Sequence, residues 1–185
     1  RLMRKKVFID NCVWDRLCER SVSLKDEMGD DLEFSISEFG KIEIPSQDHP
    51  LEKARNVSEY AKRQLNEIGL DVAKWFVFGS VNSDKSGKNL GSGFGTLLPD
   101  GSVGGGGYMT SVEGRDFSEA NKHRIGGVTG SKLQKSGLLK NQTDIDYGEW
   151  AHGFHVVTLN IKDFSKVGSG KLINIEEWQE GRFGD

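Results

Sequence analysis

Acidic and amide side chains stand in this sequence where a buried strand or a helix is predicted to begin or end. Asp10 follows directly on the apolar run of residues 7–9, which is typical of a strand buried on both faces of a parallel sheet. Asp144 falls in the first turn of a predicted helix, and Asn160 and Asp163 follow a second run of β-branched residues. Oxygen ligands of this kind suit Mg²⁺ or Mn²⁺.

A group of such acids has a definite chemical use. Glu43, near the end of a predicted second strand, is a further candidate, and Glu38 competes with it. Three or four carboxylates in one cleft repel one another unless a cation neutralises them. A divalent ion held there would lower the pKa of a bound water and stabilise the charge on a phosphodiester under attack. The residues alone therefore predict metal-assisted phosphodiester hydrolysis.

Each acid also has an ordinary structural explanation. Asp144 suits the first turn of any helix, because the helix dipole favours negative charge there. Glu43 in an alternating strand would face solvent, and Asp163 suits a turn. Asp10 is the hardest to explain in this way, because a carboxylate directly after three apolar residues loses hydration without gaining a partner.

The elements that must position these acids alternate along the chain. The predicted strands cover residues 7–9, 32–37, 41–44, 154–160 and 171–175, with 32–44 open to interpretation as one strand bent at Gly40. The predicted helices cover residues 11–20, 50–68 and 143–153, and another begins at residue 117. This order predicts a three-layer α/β/α fold with a parallel central sheet. The carboxyl ends of its strands share an edge, so we expect Asp10, Asp144 and the Asn160–Asp163 end to meet there.

Composition favours one domain over residues 1–185, because 35% of the 185 residues are apolar and 29% are charged. The net charge of −3 argues against a general affinity for polyanions. Residues 122–140 form the one local basic stretch, with no acid among them. Arg124, Lys132 and Lys135 in this stretch are the candidate substrate-binding residues.

Cys12 and Cys18 lie in one predicted helix at a spacing that does not suit a disulfide, which favours a reducing compartment and a cytoplasmic location. Apolar runs of the roughly 20 residues needed to cross a bilayer are not found, so no membrane association is expected.

Residues 80–107 differ in composition from the rest of the chain. Glycine, serine and asparagine dominate, which predicts a long loop or irregular strands inserted in the domain. Residues 91–95 lack the Gly-Lys-Ser/Thr and the following helix of a phosphate-binding loop, so that interpretation is rejected. A loop of this length inside a compact domain is usually either mobile or functional.

Both ends of the sequence resemble the PIN-domain family. Residues 7–14, VFIDNCVW, are similar to the opening of that family, in which a strand ends on Asp and continues as Thr/Ala/Asn-x-Val/Ile-Trp. Residues 151–154 and 156–164 resemble its HG…LVT-x-N/D-x-(K)-DF segment. The resemblance covers about the first 20 and the last 45 residues and leaves the middle unexplained.

The resemblance implies a Rossmann-like α/β/α fold, Mg²⁺ or Mn²⁺ bound by acids, and cleavage of single-stranded RNA. Carried over by position, it makes Asp10, Glu43, Asp144 and Asp163 the metal-binding and catalytic acids. Thr158 would orient the site by hydrogen bonding. Alternatives remain open: Glu38 for the second acid, Asp146 for the third, and the uncharged Asn160 for the fourth.

Many members of the family are toxins of VapBC-type toxin–antitoxin pairs, so the resemblance implies a small antitoxin as partner and homodimers among the assemblies. The alternative function is a PIN-like binding module, in which Asn160 at the fourth position reflects lost catalysis. An aspartate-nucleophile phosphatase would need an acid two residues after Asp10, where this chain has Cys12.

Overall fold

The computed structural model describes residues 4–28, 31–73, 96–97, 103–104, 108–166 and 172–178. The strands are β1 (Lys5–Ile9), β2 (Leu32–Ser37), β3 (Asp71–Ala73), β4 (Thr96–Leu97), β5 (Val103–Gly104), β6 (His155–Thr158) and β7 (Leu172–Asn174). The α-helices are α1 (Trp14–Glu19), α2 (Leu24–Met28), α3 (Glu38–Glu43), α4 (Glu52–Ile68), α5 (Val112–Asn121), α6 (Gln142–Trp150), α7 (Ile161–Lys166) and α8 (Ile175–Trp178). Two 3₁₀ turns, Asn11–Val13 and Lys122–Arg124, precede α1 and follow α5.

Five strands form one parallel sheet in the order β3-β2-β1-β6-β7. The chain moves outward from β1 to β3 on one side and then returns to build β6 and β7 on the other. The switch in direction therefore lies between β1 and β6, where Ile9 pairs with Val157. In open α/β sheets ligands bind at the carboxyl ends of the strands at such a point.

Helices cover both faces of the sheet, which confirms the predicted α/β class with three layers. Val7 and Ile9 of β1 pack into one core with Trp14, Leu17 and other residues of α1, α2 and α4. Phe8, between them in sequence, faces the opposite core, where its ring stacks on Trp150 at a centroid distance of 4.5 Å. Neighbouring residues of a strand point to opposite faces, so an unbroken apolar run requires burial on both.

The predicted strand at residues 41–44 is wrong, because these residues belong to α3 and to the turn after it. Ser37 caps this helix, its side chain accepting a hydrogen bond from the Gly40 N–H at 2.9 Å. Gly40 lies inside the helix against Tyr147, so it does not bend a strand. Glu43 accordingly lies at the last turn of a helix that leaves the carboxyl end of β2, not in a sheet.

The predicted helix at 50–68 is confirmed as α4, which begins at Glu52. Leu51 is 65% exposed, and the buried face is formed by Val57, Ser58, Tyr60, Ala61 and Gln64. Tyr60 turns inward because its hydroxyl donates to the Val22 carbonyl at 2.6 Å. Gly69 ends the helix in the left-handed conformation at φ +57°, as its position predicts.

Two other helices have different ends from those predicted. The helix expected from residue 117 begins at Val112, where the Ser111 side chain caps it by accepting from the Gly114 N–H. Helix α6 begins after Asn141, which has a left-handed φ of +63°, and ends at Trp150. Thr143, the predicted first residue, therefore lies inside the helix, and Gly153, the predicted last residue, lies beyond its end.

The described part of the Gly-rich segment consists of β4 and β5, which pair antiparallel. The remainder of residues 80–107 lies outside the described residues, so the predicted loop insertion and the single domain over 1–185 stay predictions. In the ranges that are described, none of the helices has the length and apolar character required of a membrane span.

Candidate active site at the carboxyl ends of β1 and β6

Asp10 lies at the switch point of the sheet, directly after β1. It is 3% exposed. Its N–H donates to the Val157 carbonyl of the neighbouring strand at 3.1 Å, and its own carbonyl accepts from the Val13 N–H at 3.0 Å. The backbone of Asp10 is thus held both by the sheet and by the 3₁₀ turn that begins α1.

The Asp10 carboxylate is oriented by two donors. Thr158 Oγ1 donates to Asp10 Oδ2 at 2.7 Å, and the Cys12 thiol donates to the same oxygen at 3.2 Å. Thr158 is fully buried, and its hydroxyl also accepts from the Asn160 N–H at 2.9 Å. The hydrogen bond expected of Thr158 is therefore present, and it joins the ends of β1 and β6.

Cys12 is a member of this network that the sequence did not reveal. Besides donating to Asp10, its sulfur accepts a hydrogen bond from the Leu159 N–H at 3.3 Å and lies 3.5 Å from Thr158 Oγ1. The one sequence feature that could have indicated its role is its position two residues after Asp10. In the sequence analysis, the cysteine at that position only argued against an aspartate-nucleophile phosphatase. Sequence spacing could not show contacts with residues so far along the chain.

Burial controls the electrostatics of Asp10. Desolvation raises the pKa of its carboxyl group, and the nearby Glu43 carboxylate raises it further. Hydrogen bonds from Thr158, Cys12 and the Asn11 backbone N–H favour the ionised form and offset part of this effect. Glu43 is the smallest of these contributions, and a cation bound beside Asp10 would favour the ionised form of its carboxyl group.

Glu43 is held by the residue that follows Asp10. Asn11 Nδ2 donates to Glu43 Oε2 at 2.9 Å. The other side-chain atom, Asn11 Oδ1, is buried and has no hydrogen-bond partner among the residues described.

Glu43 and Asp144 line the same cavity. It has a volume of about 280 Å³. Its lining residues are Asn11, Glu43, Gln134, Lys135, Ser136, Asn141, Thr143 and Asp144. A second cavity of about 130 Å³ is lined by Phe117, Arg124, Asn141, Asp144, Ile145, Asn160 and Phe164. Asp144 thus lies between the two cavities, and each has one of the predicted basic residues in its lining.

The remaining candidates occupy other places. Asp146 is buried on the aromatic side of α6, where it accepts from Trp150 Nε1 at 3.2 Å. Neither Glu38 nor the exposed Lys132 lines either of the two cavities. The backbone of Asp163 belongs to α7, and its side chain lies outside the described residues. The choice between Asn160 and Asp163 therefore stays a prediction.

The donors at this edge fit a hard divalent ion, although they do not enclose one. Among the described side chains, no group of three or more His, Cys, Asp or Glu residues is placed to hold a metal ion. Mg²⁺ is often bound through only one or two carboxylates, with waters and substrate phosphates as its other ligands. Asp10 and Glu43 are the candidate carboxylates for such an ion, and Asn11, which follows Asp10, donates to Glu43.

The two cysteines are free thiols and should differ in reactivity. Burial, reinforced by the neighbouring Asp10 carboxylate, raises the pKa of Cys12 to about 12. Cys18 lies at the edge of α1, where burial also raises its pKa. At pH 8 we expect a thiol reagent to modify Cys18 and to leave Cys12 intact until the protein unfolds, because the thiolate is the reactive form.

Time-resolved labelling of a Cys18→Ser variant, read by mass spectrometry, isolates Cys12. The same variant in denaturant is the control and should be labelled at the rate of an ordinary thiol. Equally fast labelling with and without denaturant would contradict the buried, hydrogen-bonded thiol.

Comparison with known proteins gives little further information. No protein-family model and no curated protein matches the chain. Among solved structures the fold is similar to the crystal structure of VapBC2 from Rickettsia felis bound to a DNA fragment from their promoter. The TM-score is 0.48 at 11% sequence identity, and the match covers 91% of this chain and 98% of that chain. A likeness at this level assigns neither a family nor an activity.

Proposed function

We propose that this chain is a Mg²⁺- or Mn²⁺-dependent endoribonuclease that cleaves single-stranded RNA. The observation that carries the proposal is the buried Asp10 carboxylate at the switch point of the sheet, whose neighbour Asn11 donates to Glu43 in the lining of a cavity that Asp144 shares. A carboxylate so deeply buried beside another one is unfavourable without a cation, and such groups concentrate at functional sites. The choice of RNA follows the resemblance at the two ends of the sequence.

In this proposal Asp10 and Glu43 hold the metal ion, and Asp144 lines the same cavity as Glu43. Bound there, Mg²⁺ or Mn²⁺ would supply a water of lowered pKa and positive charge close to the phosphodiester. Thr158 and Cys12 fix the Asp10 carboxylate in one orientation, and Asn11 does the same for Glu43. A carboxylate already held in place needs less reorganisation when its ligand binds.

Two basic residues suit the RNA backbone. Lys135 lines the larger cavity and Arg124 the smaller one, so both stand beside Asp144. Positive charge in these positions would bind phosphates on either side of the scissile bond, in spite of the overall charge of −3. Lys132, which lines neither cavity, would act through longer-range attraction.

The biological setting also belongs to the proposal. The resemblance supports a toxin of a toxin–antitoxin pair in the cytoplasm, with a small antitoxin as partner and with homodimers as a further assembly. These assignments depend on the sequence motifs at the two ends of the chain, and co-purification of the chain with the product of a neighbouring small reading frame would test them.

The proposed activity predicts strict dependence on a divalent ion. Incubation of the protein with 5′-labelled single-stranded RNA should give discrete products with Mg²⁺ or Mn²⁺ and none in excess EDTA. Because the ion binds the folded state, Mn²⁺ should also raise the melting temperature of the RNA-free protein.

The alternative binding module gives a different result in the same assay. Such a protein would bind the RNA, by fluorescence anisotropy, without turning it over in either ion. Binding without cleavage across RNAs containing all four bases would reject the nuclease and support the binding module, for which the uncharged Asn160 is the favouring observation.

A further inference from the structure

The larger cavity has two chemically different walls. One wall carries Asn11, Glu43 and Asp144 from the acidic edge of the sheet. The other is formed by the turn at residues 134–136 of the long connection between the 3₁₀ turn Lys122–Arg124 and α6. The acidic wall is accounted for by the proposed metal site, and the function of the facing turn is not.

The connection that carries this turn is a folded element. Three backbone hydrogen bonds close it. The Gly126 N–H donates to the Lys140 carbonyl at 2.8 Å, the Lys132 N–H to the Gly126 carbonyl at 2.9 Å, and the Lys140 N–H to the Lys132 carbonyl at 2.8 Å. Leu133 and Leu139 form an antiparallel bridge, and Leu139 is 4% exposed. The turn itself closes where the Gln134 carbonyl accepts from the Gly137 N–H at 3.0 Å. The backbone from which its side chains extend is therefore held at a fixed place on the cavity wall.

The side chains of the turn offer contacts suited to a nucleotide. Lys135 is exposed and supplies a positive charge for a phosphate. Gln134 is exposed too, and within the described residues no hydrogen bond engages its side-chain amide. A free amide presents a donor and an acceptor side by side, the arrangement that pairs with a base edge.

Size and chemistry of the cavity agree with one unpaired nucleotide. Its volume of about 280 Å³ lies just below the range of roughly 300–1,000 Å³ typical of small-ligand sites. Apart from the charged residues, its lining residues carry amides and hydroxyls: Asn11, Gln134, Ser136, Asn141 and Thr143. Proteins that read RNA sequence usually do so by hydrogen bonds to the edges of bases in single strands.

We propose that the turn at residues 134–136 is the specificity element of the site and that the cavity binds one nucleotide of the single-stranded RNA next to the scissile bond. Lys135 contacts the phosphate of that nucleotide, and Gln134 reads the edge of its base. This inference rests on the proposed function for the identity of the substrate, and it adds where one nucleotide is recognised and by which residues.

The test measures binding in EDTA, so that it does not depend on cleavage. Fluorescence anisotropy would be recorded with labelled RNA oligomers that differ in one central base within a constant polyuridine sequence. Lys135→Ala should weaken binding of every oligomer by a similar factor and lower the slope of log affinity against log salt by about one. Lys62→Ala, which removes an equally exposed lysine from α4, should leave binding unchanged.

Gln134→Ala gives the second, independent readout. We expect it to reduce the difference in affinity between the best and the worst central base by roughly tenfold, and to affect the other contacts little. A wild-type protein that binds no RNA, a Lys135→Ala effect no larger than that of Lys62→Ala, or unchanged base preference in Gln134→Ala would each overturn the inference.

The outcomes separate this inference from the proposed function. Selective RNA binding that responds to Gln134 and Lys135, without metal-dependent cleavage, would retain the nucleotide site and reject the nuclease. Metal-dependent cleavage with base preference indifferent to Gln134 would retain the nuclease and reject the nucleotide site.

Discussion

Asp10→Asn is expected to lower metal-dependent RNA cleavage by roughly a thousandfold or more, the scale seen when an essential catalytic group is removed. The substitution keeps the shape of the side chain and an oxygen that can accept from Thr158, so the buried network can persist. It removes the negative charge that would hold the metal ion. Cleavage rates under single-turnover conditions, at saturating Mn²⁺, would measure the loss.

The same substitution should stabilise the metal-free protein at neutral pH. The pKa of Asp10 is raised in the folded state, so the folded protein binds this proton more tightly than the unfolded chain does. The stability that Asp10 contributes is therefore complete below the ordinary aspartate pKa of about 4 and is lost as the pH rises through the higher folded value. The melting temperature of Asp10→Asn in EDTA should exceed that of the wild type at pH 7 and approach it near pH 3.5.

Asp15→Asn is the matched control for both measurements. Asp15 lies on the exposed side of α1, five positions along the chain, and undergoes the same isosteric change. It should retain full cleavage and show no comparable rise in melting temperature. Undiminished cleavage by Asp10→Asn would remove Asp10 from the mechanism, and a lower melting temperature at pH 7 would contradict the cost assigned to its buried charge.

Gly40→Ala should destabilise the protein by about 2–3 kcal/mol, although alanine normally favours a helix. A Cβ atom at Gly40 would lie 2.1 Å from Tyr147 Oη and 3.0 Å from its Cζ atom. Tyr147 is fully buried, and its hydroxyl donates to the Ile9 carbonyl at 2.6 Å. A methyl group at Gly40 must displace this ring or helix α3. Urea unfolding of the two proteins would measure the difference.

A double-mutant cycle shows whether the contact with Tyr147 is responsible. Removal of the hydroxyl in Tyr147→Phe makes room for the methyl group, so Gly40→Ala should cost less in that background than in the wild type. Gly153→Ala is the matched control, because the nearest atom to its added Cβ lies 4.0 Å away. A Gly40→Ala variant as stable as Gly153→Ala, or fully additive effects in the cycle, would contradict the close packing of α3 on α6.

The sequence alone was sufficient to predict strands β1, β2, β6 and β7 and the position of Asp10 after β1, although it did not predict β3. Unbroken apolar runs such as residues 7–9 require burial on both faces, and this condition is met in the interior of a parallel sheet. Parallel strands place their carboxyl ends on one edge, so the proximity of Asp10 to the end of β6 follows from local pattern and topology. The hydrogen bond from Thr158 to Asp10 is the direct consequence.

Glu43 illustrates where local pattern was insufficient. Residues 41–44 alternate in polarity, and four residues of alternation are compatible with either a strand or a helical turn. The helical conformation is stabilised by the Ser37 cap and by the packing of Gly40 on Tyr147, a residue of a helix distant in sequence. The structure brings Glu43 next to Asp10 nonetheless, through a helix instead of a strand.

The sequence by itself determined the α/β class, the order of most elements and the edge of the sheet at which Asp10 lies, because these depend on periodicity and on strand direction. The tertiary structure alone decided that the Cys12 thiol donates a hydrogen bond to Asp10 and that the Asn11 side chain donates one to Glu43. It also decided that the turn at residues 134–136 lines one cavity with Asn11 and Glu43. Except for the contact between Cys12 and Asp10, these contacts join residues far apart in the chain, and the geometry of all of them depends on how helices and loops pack. No local pattern in the sequence encodes such packing.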